Sequence, residues 1–173
     1  MVGNIFFIFN FNKKNMRLHL LRHAKTDQFS ISGKDFDREL LKKGLLQASS
    51  MGEFFNSKNI NPSHIFCSSG VRARQTIEAI KKEHTFDSKV IFLDELYLCE
   101  KEVLLKFLGE QNHGEDILIV GHNNGLSDFA GYLIDDFIDL KTCEFVSLEF
   151  EAKNWQETSK GTAIVRENFH PTV

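Results

Sequence analysis

Four short apolar runs in this chain each end in side chains that can do chemistry. "LHLL" (18–21) runs into Arg22 and His23, and "HIFCS" (64–68) into Ser69, Gly70 and Arg72. "KVIFL" (89–93) runs into Asp94 and Glu95, and "DILIV" (116–120) into Gly121, His122 and Asn123. An arginine and a histidine side by side repel when both are charged, so their pairing after a buried-looking run fits a place where a negative group sits between them. Two arginines, two histidines and a carboxylate suit a phosphoryl group. Guanidinium forks match its oxygens, and a neutral imidazole offers a nucleophilic nitrogen near pH 7.

Each residue also has an ordinary explanation. His23 alone reads as a hydrogen-bonded histidine at a strand end, and His122 as a helix-start residue after a glycine turn. Arg72 reads as a solvated helix arginine, and Glu95 as a surface carboxylate before a turn. Their shared position is what joins them, because in an open parallel sheet the carboxyl ends of the strands lie along one edge and ligands bind there. Helix N-termini at that edge add backbone donors and positive partial charge. Arg74 competes with Arg72. The two lie roughly 200° apart around a helix, so one phosphate does not face both. They flank the apolar stripe symmetrically, and periodicity does not choose between them.

The elements that must hold these residues alternate. Strands are expected at 16–21, 64–68, 89–93, 116–120, 145–150 and 162–166. Helices are expected at 43–57, 71–83, 101–108 and 126–134, with Leu45, Ala48, Met51 and Phe55 on one face of the first. A polar loop centred on "SISGKD" separates the first strand from the first helix. Repeated strand–helix units predict a three-layer α/β/α sandwich around a largely parallel, mixed sheet.

The 173 residues suffice for one domain, with 42% hydrophobic and 26% charged residues arguing against disorder. A net charge of −3 gives no general attraction to nucleic acid or to an anionic membrane, so an anion site must be local. No apolar run is long enough to span a bilayer. Cys67, Cys99 and Cys143 are odd in number and far apart, which fits a reducing cytoplasm. The seven histidines form no H-x-H or H-E-x-x-H pattern, so neither metal nor other cofactor is expected. In "MVGNIFFIFNFNKKN" the lysines follow the apolar stretch, the wrong order for a secretory signal. Residues 1–15 read either as an extension upstream of a start at Met16 or as an extra edge strand or arm, leaving 16–173 as a single domain.

At the residues singled out above, the chain resembles the histidine phosphatase superfamily, which includes the phosphoglycerate mutases. "LRHAKT" is similar to its nucleophile motif, "SSGVRARQT" to its second motif and "VGHNNGLSD" to its C-terminal histidine motif, while "DFDRELLKKGLLQA" resembles the segment after the nucleophile loop. The resemblance spans roughly residues 16 to 150 and selects Arg72 over Arg74. R-H-A in place of R-H-G, the small size and "DELYL" look most like the SixA-type phosphohistidine phosphatase branch. Gly70 and Asn124 stand where proline is common in the family.

The resemblance implies a phosphoglycerate mutase-like fold and a metal-independent phosphatase. His23 would attack phosphorus and form a transient phosphohistidine, its other ring nitrogen donating to a backbone carbonyl. Arg22, Arg72 and His122, with Asn123 beside them, would bind the phosphoryl oxygens. Glu95 matches the general-acid position of larger members, with Asp94 and Asp27 as alternatives. The substrate class implied is phosphohistidine on a protein. The alternatives are a small phosphorylated metabolite, or a module that binds phosphate without turnover.

Overall fold

The computed structural model describes residues 15–112 and 116–173. The reading of residues 1–15 as an extension therefore falls, but for Asn15, outside the described residues. Among the described residues six strands form one sheet: β1 (Met16–Arg22), β2 (His64–Ser68), β3 (Val90–Leu93), β4 (Asp116–Gly121), β5 (Phe145–Phe150) and β6 (Ala163–Phe169). Their spatial order is β3-β2-β4-β1-β5-β6. The first four are mutually parallel, and β5 and β6 add an antiparallel edge. The sheet is therefore largely parallel and mixed, the expected fold class.

The α-helices that cover it among the described residues are α1 (Lys42–Lys58), α2 (Val71–Ile80), α3 (Lys101–Gly109) and α4 (Gly125–Ile134). Alternation along the strands sends side chains to opposite faces. Leu18, Leu20, Ile117 and Ile119 pack with Leu104, Leu108, Phe129 and Leu133 of α3 and α4. Leu21, Ile65, Leu118 and Val120 pack with Met51, Phe55, Ala73 and Ile77 of α1 and α2. These are the three expected layers. The central strands β1 and β4 are buried on both sides, which is why they read as continuous apolar runs.

The structure corrects the helix face read from α1. Its inward stripe is Gly44, Gln47, Ala48, Met51, Gly52 and Phe55, and Leu45 points outward at 45% exposure. Gly44 takes the inward position because the helix backbone meets the chain just after β1. A Cβ on Gly44 would lie 2.1 Å from the Lys25 carbonyl oxygen. The close approach is secured by Leu41 N–H donating to Lys25 O at 3.0 Å, and by Lys25 N–H donating to Gln47 Oε1 at 3.0 Å. α2 also ends three residues before the expected 83, in a turn whose Lys81, Lys82 and Glu83 are exposed.

Gly44→Ala should lower unfolding stability by about 2 kcal/mol, because the backbone contact leaves no flexible side chain to yield. Gly109→Ala, at the end of α3 with nothing within 4 Å of its Cβ position, should stay within about 0.5 kcal/mol of wild type. Urea denaturation of the two variants in parallel measures the difference.

Candidate active site

The strand ends converge as the topology requires. β1 and β4 run side by side with Arg22 opposite Gly121, and His23 N–H extends the ladder to Gly121 O at 3.0 Å. His23 and His122 therefore leave neighbouring strands together, with ring centroids 5.2 Å apart. β2 ends at Ser68, and α2 starts at Val71 and brings Arg72 into the same place. Arg22, His23, Arg72, His122 and Asn123 all line one cavity of about 530 Å³, along with Lys25, Thr26, Asp27, Asp35 and Arg38. Its four cations outnumber its two carboxylates in a chain of net charge −3. A larger cleft of about 660 Å³ adjoins it across Leu98 but is lined by neither arginine nor histidine.

His23 is held in one tautomer. Its Nδ1 lies 2.8 Å from the Ala24 carbonyl oxygen, which can only accept, so Nδ1 carries the proton. Nε2 is left unprotonated, and its lone pair accepts from Arg72 Nε–H at 3.2 Å. Burial pushes the His23 pKa down to about 3. The carbonyl contact opposes this, and the charges of Arg72, Arg22 and Arg38 reinforce it. The ring is therefore neutral and nucleophilic at physiological pH.

His122 is buried too, and burial, then the neighbouring His23 and Arg72, lowers its pKa to about 3. Its Nε2 lies 2.7 Å from Ser68 Oγ. That hydroxyl already accepts from Gly70 N–H at 3.3 Å, so its own proton is available to His122 Nε2. With Ser68 as the donor, His122 Nδ1 carries the ring proton, and it has no partner among the described residues.

Arg72 is 2% exposed. Besides His23 it meets Asp35 twice: Nη1–H donates to the backbone carbonyl at 2.8 Å and Nη2–H to Oδ2 at 2.9 Å. Arg22 gives Nη1–H to Leu140 O at 2.7 Å and keeps a buried Nε–H with no partner among the described residues. Arg74 turns away, donating to Ser69 O at 2.7 Å with its guanidinium over Phe92.

Other expected site residues fare differently. Asn123 lies in the cavity wall, but its amide donates to Leu140 O at 2.9 Å and its Oδ1 accepts from Ser127, so it braces the 139–140 segment. Glu95 and Asp94 are exposed on the 3-10 turn Asp94–Leu96 and are absent from the cavity lining, while Asp27 lines it. The turn after β3 directs Leu96 into the core and brings Tyr97 toward the site, which carries both carboxylates outward.

Several residues of the site escaped the sequence reading. Asp35 and Arg38 belong to "KDFDRE", whose dense charge was the available signal. Tyr97 packs edge-on against His122 with centroids 5.2 Å apart and donates to Asp35 Oδ2 at 2.6 Å. Thr76 joins the first motif to the second: its Oγ1 accepts from Ala24 N–H at 3.0 Å and donates to Arg72 O at 2.7 Å. Gly70 stands where proline is common because Tyr97 fills the space, its Cδ2 lying 2.9 Å from a Cβ built there. Among the described residues no three His, Cys, Asp or Glu side chains gather as a metal site, and no helix is long and apolar enough to cross a membrane. The thiols are free, and burial raises the pKa of each.

The two buried histidines set an acid limit on stability. Unfolded imidazoles titrate near 6.5, whereas these stay neutral down to about 3. In that window the unfolded chain binds protons that the folded chain refuses. Stability is therefore full above about pH 6.5 and falls as the pH drops, by up to about 1.4 kcal/mol per pH unit for each histidine. Urea melts from pH 7 to pH 4 should show this slope, and His122→Asn should remove about half of the part due to the pair.

Comparison with known proteins relates part of the chain to a family model and its fold to solved structures. Residues 18–97 match the model of the histidine phosphatase superfamily (branch 1). An uncharacterised chloroplastic protein of Arabidopsis thaliana is 28% identical over 151 residues, covering 82% of this chain and 69% of that protein. A structure named for the phosphohistidine phosphatase SixA from Agrobacterium tumefaciens superposes with a TM-score of 0.78 at 22% identity, covering 90% of this chain and 98% of that one. A phosphoserine phosphatase from Entamoeba histolytica, in complex with phosphoserine, superposes with a TM-score of 0.62 at 14% identity, covering 88% and 95%. Over residues 18–97 the sequence is thus similar to the histidine phosphatase superfamily, branch 1, and the chain shares its fold with the SixA structure.

Proposed function

We propose that the chain is a phosphatase that works through a phosphohistidine on His23 and removes phosphate from phosphohistidine on a protein. The observation that carries this reading is the state of His23: neutral, fixed by Ala24 O, with the Nε2 lone pair facing a cationic cavity. In the reaction the Nε2 lone pair attacks phosphorus in line. The bond from phosphorus to the leaving atom breaks, and its electron pair departs with the leaving group. Arg72, Arg22 Nε–H and His122 Nδ1–H stabilise the equatorial oxygens, the positioning and charge compensation on which phosphoryl transfer depends. Water then attacks the phosphohistidine, releases phosphate and returns the electron pair to Nε2. Arginine charge supplies what a metal supplies elsewhere, so no cofactor is required.

The leaving group favours a nitrogen-linked substrate. An alkoxide needs a proton as it departs, whereas an imidazole can leave already protonated. Glu95 and Asp94 lie outside the cavity lining, which supports a site with little need for a general acid. The second reading is hydrolysis of a small phosphomonoester, and its support is Asp27 in the wall.

The test compares wild type with His23→Ala on a phosphohistidine protein and on an aryl phosphate, each with and without chelator. Wild type should hydrolyse the phosphohistidine protein and ignore chelator, and the variant should lose about three orders of magnitude or more. Acid-labile, alkali-stable label should appear on wild type after quenching and be missing from the variant. A fully active variant or chelator-sensitive turnover overturns the mechanism. Binding without turnover of either substrate favours a phosphate-recognition module.

A further inference from the structure

The reaction described above leaves the Asp35 carboxylate without a chemical part, although it lines the cavity and remains 46% exposed. Its surroundings are unusually directive. Oδ2 accepts from Arg72 Nη2–H at 2.9 Å and Tyr97 Oη–H at 2.6 Å, and Oδ1 accepts from Arg38 Nη1–H at 2.8 Å. Tyr97 is itself braced by Phe36, edge to face with centroids 4.9 Å apart. Hydrogen bonds from Tyr97 and Arg38, with the charge of Arg72, hold the Asp35 pKa well below the usual carboxylate range. An ionised carboxylate has no proton to give a departing alkoxide.

The position adds to this. One guanidinium donates through Nε to His23 Nε2 and through Nη2 to Asp35 Oδ2. The carboxylate thus stands within a guanidinium's width of the attacking nitrogen. A fixed negative charge there opposes a dianionic phosphate ester. It gains only when the leaving group brings its own N–H, and its exposed lone pairs can still accept one more donor.

We propose that Asp35 is a specificity-determining residue that accepts a hydrogen bond from the distal N–H of a phosphorylated imidazole, and so selects nitrogen-linked over oxygen-linked phosphate. This rests on the phosphatase reading above and assigns a residue to its selectivity. In the transfer step the bond from phosphorus to the leaving nitrogen breaks as the His23 Nε2–P bond forms. The electron pair of the broken bond stays on the leaving nitrogen. The proton on the distal nitrogen stays there, bonded to Asp35, and a neutral imidazole departs. A phosphate ester has no such N–H and meets only the repulsion.

The test measures kcat/KM for an N-phosphorylated histidine peptide and for para-nitrophenyl phosphate with wild type, Asp35→Asn, Asp35→Glu and His23→Ala. A hydrogen bond to a charged partner accounts for roughly ten- to hundredfold in rate, so the peptide-to-ester ratio should fall by that factor in Asp35→Asn. Asp35→Glu, which keeps the charge, should recover part of the ratio. A parallel fall on both substrates would overturn the proposal, since it would mean that Asp35 only orients Arg72. An unchanged ratio would overturn it as well. If wild type, like His23→Ala, turns over neither substrate, the phosphatase reading itself fails and takes this proposal with it, an outcome distinct from a parallel fall.

Discussion

A guanidinium sealed from water must be met by partners, because an unpaired buried charge costs several kcal/mol. Arg72 is that group here, and its three contacts organise the whole site. One reaches His23 Nε2, and two reach the backbone and carboxylate of Asp35. Thr76, one turn further along α2, ties the same helix to the Ala24 amide. The strand end that carries His23, the segment that carries Asp35 and the first turns of α2 are thereby locked into one assembly.

The sheet makes that assembly possible. Parallel pairing of β1, β4, β2 and β3 forces every carboxyl end to one edge, so segments more than a hundred residues apart deliver side chains to one cavity. The antiparallel strand β5 contributes differently. The segment leading into it returns to β1, with Cys143 N–H donating to His23 O at 3.0 Å and Leu140 O accepting from Arg22 and Asn123. That segment closes the side of the site opposite α2. A mildly acidic chain in this way builds a local cationic hole, which a net charge by itself does not disclose.

Desolvation and hydrogen bonding divide the titratable groups by state. Burial keeps both imidazoles neutral, while three donors keep the Asp35 carboxylate ionised. A neutral base, a free ring donor and a permanent anion therefore coexist in one cavity. In the proposed reaction the first attacks, the second binds a phosphoryl oxygen, and the third favours a leaving group that is already protonated.

The sequence by itself determined the strand–helix alternation, the layered sheet and the meeting of Arg22, His23 and His122 with an arginine of α2, because apolar periodicity fixes elements and parallel topology fixes where their ends lie. Periodicity left Arg72 and Arg74 equivalent. The family resemblance separated them, and the packing of α2 puts the first against His23 and the second over Phe92. The inward turn of Gly44 in place of Leu45 depended on a backbone approach from Lys25, which a helical wheel does not contain. The places of Asp35, Tyr97, Asn123 and Glu95 were decided by the tertiary structure alone. All four sit on turns or strand-end loops, where no periodicity links residue number to direction. Which way such a side chain faces depends on partners distant in sequence, as Tyr97 and Arg72 are for Asp35.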